Sequence, residues 1–307
     1  MISSFFDQTK PVNFLVLLAA LVLLFWGVTF FDHGFDLEYS FVFQQLLASI
    51  ALVLTLLLLG NMVKSMKLTL DNSFAMLFFL LLLLCFSNVL TDHKIIFCNF
   101  FLLMSTRSAI ALKNDKNHNK KIFESALWLY VASFFNEWAL LFIIPLFVAI
   151  NLFTAKQLRL WLMPIAALIC VAILATAVAM LLENTDFFQE HYRFHFLIDF
   201  FTKPDYLLGF YILVTFGAAL LVFGRLGYRR LGRTLSLRLI LVCLILSTLC
   251  TIATGGSQNN MEMLTFFPAA IFFTNYLEHL KKQKFKEIVL LICIVGSLLT
   301  FTIRLFQ

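Results

Sequence analysis

Long uninterrupted runs of apolar residues dominate this chain, and a run of roughly 20 such residues has few stable homes other than a membrane-crossing helix. Eleven runs stand out, at about 12–31, 42–62, 73–90, 95–110, 122–136, 138–153, 161–182, 206–224, 237–254, 264–277 and 288–306. They are continuous rather than alternating, which excludes a transmembrane β-barrel. Of the 307 residues 62% are hydrophobic and 13% charged, with a mean hydropathy of +0.94. A soluble domain is nearer half apolar and a quarter charged. With 38 Phe against 11 Gly and 5 Pro, the chain is neither collagen-like nor disordered. A net charge of +6 does not make it a nucleic-acid binder, because the hydrocarbon has no soluble fold to hide in. The expectation is an all-α fold: a polytopic transmembrane helical bundle, one integral membrane domain over residues 1–307.

The stretch 122–153 decides the topology. Read as one helix, it places Glu137 near the bilayer centre at a cost of ~2.5–3.5 kcal/mol or more. Read as two short helices, it turns at Asn136-Glu137. The positive-inside rule selects the second reading. With eleven spans, the N-terminus inside and the C-terminus outside, 19 of the 23 Lys and Arg residues fall inside. Only Lys94, Arg193, Lys203 and Arg304 lie outside. Merging the pair would move Arg225–Arg238 and Lys281–Lys286 outside. These clusters read as topology anchors with a secondary affinity for anionic lipid. Eleven of the 17 acidic residues fall outside. Run 12–31 is too long for a signal-peptide core and lacks a small-residue cleavage site after it. The six cysteines sit in apolar runs with no C-x-x-C pair, as buried small hydrophobes do. No segment offers a soluble domain.

Four places carry polar chemistry. The first external loop holds Asp32, His33, Asp36 and Glu38, a set able to bind a divalent cation or act as a general base, or simply to form a polar turn. The external segment 183–205 holds His191-Tyr192-Arg193-Phe194-His195. On a helix the two His share a face, as metal ligands can, and Arg193 is able to grip a phosphate; an interfacial helix over about 186–201, burying Phe187, Phe188, Phe194 and Phe200, needs neither. The sequence assigns no metal site. Glu137 either faces a cavity or caps the helix after it, while Asn99 and Arg107 lie within or at the end of the fourth run. The loop Gly255–Asn260 lacks the Lys of a phosphate loop and reads as a flexible turn.

Two resemblances follow from these landmarks. The opening Met-Ile-Ser-Ser-Phe-Phe-Asp-Gln-Thr-Lys-Pro-Val-Asn-Phe and the late stretch Phe267–Leu277 with Lys284–Ile288 are similar to an uncharacterised multi-span inner-membrane family of Bacteroidetes. That resemblance implies the bacterial inner (cytoplasmic) membrane as location. More broadly, Phe35-Asp36-Leu37-Glu38-Tyr39, the interrupted pair around Leu129–Glu137 and the late Pro268 resemble the GT-C membrane scaffold of lipid-linked-sugar glycosyltransferases. Glu137 stands where that class has a basic residue, Glu262-Met263-Leu264 replaces its Arg-Tyr, and the first loop is short.

The GT-C resemblance implies a transferase or polymerase working on a polyprenyl-phosphate-linked sugar at the external face. Asp36, supported by Asp32 and Glu38, would be the base or metal ligand, with Arg193, Glu137, His191 and His195 toward the substrate. No cofactor is specified beyond the room for a divalent cation. The alternative is a non-catalytic subunit holding other envelope membrane proteins. A transporter calls for polar midplane breaks and an internal repeat, which the spans lack. Membrane lipids are partners in every case, and nucleic acid in none.

Overall fold

The computed structural model describes residues 6–7, 11–33, 39–114, 117–154, 158–183, 188, 191–192, 205–225, 231–255, 259–280 and 282–305. Among the described residues, eleven helices longer than two turns occupy the eleven apolar runs. They are α1 (Pro11–His33), α2 (Tyr39–Ser65), α3 (Phe74–Cys85), α4 (His93–Ala111), α5 (His118–Ser133), α6 (Ile143–Phe153), α7 (Met163–Leu181), α8 (Tyr206–Arg225), α9 (Leu231–Ala253), α10 (Met263–His279) and α11 (Gln283–Leu305). Helices α5, α9 and α11 start four to six residues before their apolar runs. Charged side chains open these helices, with Lys284 of α11 exposed and Arg233 of α9 turned inward onto Glu278.

Among the described residues seven helices, α1, α2, α4, α7, α8, α9 and α11, are long and apolar enough to cross a membrane. The other four are shorter, and two of them form the centre. Every residue from Phe74 to Leu83 of α3 is buried, and so are most of α10. A helix apolar on all sides is stable only when protein surrounds it. Helix α3 packs on α10 and α11, and α10 also meets α8 and α9. Phe86, Tyr211 and Phe266 form an aromatic knot there, with centroids 5.3–6.3 Å apart. Pro268, inside α10, lacks the N–H that would bond the carbonyl of Leu264.

The second half is built on α4 and α5, flanked by α2 and α7. Ser105 and Ser125 clasp the pair, their hydroxyls 3.1 Å apart and Ser125 Oγ donating to the Ser105 carbonyl at 2.8 Å. Polar bonds of this kind hold helices together where lipid removes the hydrophobic drive. The break expected at Asn136-Glu137 is present. Helix α5 stops at Ser133, the Asn136 side chain accepts from Trp138 N at 3.0 Å, and Glu137–Phe142 continues as a 3₁₀ helix into α6. Chain direction reverses there, since Phe142, Pro145 and Leu146 return to the level of Ser125.

Outward faces are hydrocarbon. Leu23, Met180, Leu181, Leu213 and Leu220 are each 70% or more exposed. A protein in water does not carry such a belt. All six cysteines are free, and Cys243 and Cys250 are buried on the same helix, as the seven-residue spacing predicts.

The polar contacts sort the loops into two ends. At one, Arg233 Nε donates to Leu68 O (3.0 Å) and its Nη2 to Asn275 Oδ1 (2.6 Å) and Glu278 Oε2 (2.9 Å). Glu278 Oε1 also accepts from Leu70 N (2.7 Å) and Asn72 Nδ2 (2.8 Å). Arg233, expected as a surface anchor, is therefore the hub of a largely buried network. At the other end lie Ser87 with Arg304, Asn136 with Met261, and Ser133 with His191.

Candidate functional site

Polar side chains converge where α5 ends. Ser133 is the last residue of that helix, and its hydroxyl donates back to Tyr130 O at 2.7 Å, as serines in apolar helices do. The Ser133 carbonyl, left open by the helix end, lies 2.8 Å from His191 Nε2, so that nitrogen is the protonated one. Tyr192 OH sits 3.0 Å from Ser133 Oγ. Burial pushes the Tyr192 phenol above its usual value, and the Ser133 bond opposes that rise. Three residues beyond Ser133, Asn136 caps the 3₁₀ helix and points Nδ2 at Met261 Sδ, 3.4 Å away. Glu137 follows, half-buried and within Coulombic reach of Cys98.

Glu262, next to Met261, is only 1% exposed, and its Oε2 has no hydrogen-bond partner. Burial lifts its carboxyl to about 7, its own backbone N–H pulling the other way and Asp205 adding to the rise. The acid therefore changes charge near neutral pH, a property concentrated at functional sites. Below it, Thr265 Oγ1 donates to the Glu262 carbonyl at 2.6 Å and lies 2.7 Å from Tyr211 OH. In the sequence Glu262 reads as one more external acid before an apolar run. Nothing local distinguishes a solvated acid there from a buried one.

Beside this cluster runs an apolar groove of about 400 Å³ between α5 and α7. Leu127, Val131 and Phe134 form one wall and Cys170, Leu174, Ala175, Val178 and Leu182 the other, with Phe188 near the mouth. No charged side chain lines it. Phe134 follows Ser133 in the chain, so the groove reaches the end of α5, the end at which Ser133 meets His191 and Tyr192. Lipid tails are as apolar as the groove, so the trough orients a tail more than it attracts one. Selectivity belongs to the polar end.

Of the residues singled out from the sequence, Glu137 and His191 lie at this end of α5. Asp32 is exposed at the end of α1 and acts on the charge of Arg304, which bonds Ser87. Asp36, Glu38, Arg193 and His195 lie outside the described residues, as does most of the expected interfacial helix 186–201. Among the described residues no three His, Cys, Asp or Glu side chains gather as a metal site.

Membrane-length helices and a hydrocarbon exterior are the construction of an integral membrane protein. The chain belongs to a family of unknown function, DUF6427, whose model matches residues 8–307. No curated protein and no solved structure matches it.

Proposed function

We propose that the protein is a multi-pass protein of the bacterial inner (cytoplasmic) membrane, with eleven spans, its N-terminus in the cytoplasm and its C-terminus outside. Its function is to seat a polyprenyl-phosphate-linked saccharide at the external face and act on it as a GT-C-like transferase or polymerase. One observation carries this reading: the apolar α5–α7 groove reaches Phe134, next in the chain to Ser133, whose hydroxyl and carbonyl meet Tyr192 and His191. The basic-residue distribution supports the sidedness, because it puts that end outside. In the transfer step Asp36 takes the proton of the acceptor hydroxyl as this oxygen attacks the sugar's anomeric carbon and the lipid phosphate departs. Asp32 and Glu38 raise the local negative charge and offer ligands to a divalent cation. Arg193 and His195, close in sequence to His191, serve the phosphate.

Two substitutions test it. Asp36→Asn removes charge while keeping a helix-capping side chain. Ala175→Trp fills the groove far from the polar cluster. Both should abolish assembly of the surface glycan at normal protein abundance. Unchanged glycans in both variants, with Asp32→Asn and Glu38→Gln equally silent, overturn the enzyme reading.

A second reading rests on the same groove. Ala175 and Ala179 stand four apart on one face, the small-residue spacing that admits a partner helix. On that reading the protein is a non-catalytic subunit of an envelope complex, and Ala175→Trp releases a protein partner while Asp36→Asn has no effect.

A further inference from the structure

At the end opposite the lipid cleft, a second cavity of about 430 Å³ opens between the last turns of α8 and α10 and the start of α11. Its lining is Arg225, His279, Leu280, Lys282 and Phe285. Three of these five are basic, and each comes from a different element: Arg225 ends α8, His279 ends α10, and Lys282 precedes α11. The ion pairs of the described residues are Lys121–Glu124 and Arg233–Glu278, so among the described residues neither Arg225 nor Lys282 forms a salt bridge with an acid. Glu278, the acid beside His279, is already committed to Arg233, Leu70 N and Asn72. Lys282 Nζ sits 5.9 Å over the Phe285 ring, which holds the ammonium at the rim instead of letting it trail into solvent. Burial, followed by the charges of Arg233 and Arg225, holds His279 below its usual value, with Glu278 opposing, so the cavity disfavours one more positive charge. Like charges held together without a counter-ion mark a place where an anion is missing.

We infer that this cavity is a phosphate-binding site, taking the phosphate of an anionic phospholipid headgroup or a free phosphate. Arg225 and Lys282 grip the phosphate oxygens from two sides and His279 donates from below. Leu280 and Phe285 give the site an apolar wall, which suits a phosphate attached to a glycerolipid. Full-length protein in mild detergent, titrated with phosphatidylglycerol or phosphatidylcholine and weighed intact by native mass spectrometry, tests the lipid arm. Calorimetric titration with inorganic phosphate tests the free-ion arm. At ~1 kcal/mol per cation, the two flexible cations give the anionic lipid an advantage of about 30-fold, and Arg225→Gln/Lys282→Gln should erase it. Lys64→Gln, an exposed lysine outside the cavity lining, should leave it intact. Should the double variant fail to fold, the wild-type comparison of the two lipids still decides. Selective retention of phosphatidylglycerol assigns the site to a headgroup. Phosphate binding that Arg225→Gln/Lys282→Gln abolishes, without lipid selectivity, assigns it to a free anion. Equal retention of both lipids with no phosphate binding overturns the site, and so does a Lys64→Gln loss as large as that of the double variant.

Discussion

Truncating Glu278 to alanine should be among the most damaging changes available outside the apolar core. Its carboxylate accepts from Arg233 Nη2, Leu70 N and Asn72 Nδ2 at 2.9, 2.7 and 2.8 Å, and so ties α10 to α9 and to the α2–α3 connection. Glu278 and Arg233 side chains are 6% and 15% exposed. Breaking a buried pair by removing one partner costs ~3–5 kcal/mol, because the other charge stays desolvated. Arg233 keeps its bonds to Leu68 O and Asn275 Oδ1, which places Glu278→Ala near ~3 kcal/mol. Glu278→Gln retains a carbonyl acceptor and should cost ~1–2 kcal/mol. Replacing both residues, Arg233→Met with Glu278→Leu, removes two charges together but takes the partners from Asn72 Nδ2 and Asn275 Oδ1, and should cost less than Glu278→Ala and Arg233→Met added together. Reversible unfolding in mixed detergent micelles reads wild type, the single variants including Arg233→Met, and the double variant on one scale. A Glu278→Ala loss below ~1 kcal/mol, or a double variant worse than the sum of the singles, would refute the description of this network as a buried lock.

Three further perturbations probe other parts of the fold. Folded Glu262 keeps its proton up to about pH 7, against 4.5 for an ordinary carboxyl, so this stabilisation is full below pH 4.5 and is lost as pH rises through 7. Glu262→Gln should therefore match wild type at low pH and exceed it by ~3 kcal/mol above pH 8 in a thermal scan, and equal stability at both pH values contradicts the burial. A Cβ on Gly60 would meet Met76 Sδ at 2.7 Å and Phe14 at 3.1 Å, so Gly60→Val should cost ~1–3 kcal/mol in the same unfolding assay. Asn136→Ala should cost ~1 kcal/mol by uncapping the 3₁₀ turn, and Asn136→Asp should restore most of it.

Helix positions were legible because each apolar run is longer than any loop can tolerate. The reversal at Asn136-Glu137 was legible too, from the cost of Glu137 in mid-bilayer and from the distribution of Lys and Arg. The partner of Arg233 was not. A basic residue at a helix start looks the same in sequence whether it snorkels to headgroups or folds back onto Glu278, 45 positions away. Burial of Glu262 was hidden for a similar reason, since it depends on how the connection before α10 seats against Tyr211 and its neighbours. The α5–α7 groove arises from a gap between two helices that each look uniformly apolar. Periodicity reports which residues are hydrophobic, but not how far apart their helices stand.

Occupancy of that groove in the living membrane is the most direct test of the lipid cleft. A photoreactive amino acid at Ala175, activated in intact cells, should form an adduct whose mass is that of the protein plus a polyprenyl-phosphate-linked saccharide. Adducts formed only with bulk phospholipid, in the same yield as from a photoreactive residue at lipid-facing Leu220, would contradict it.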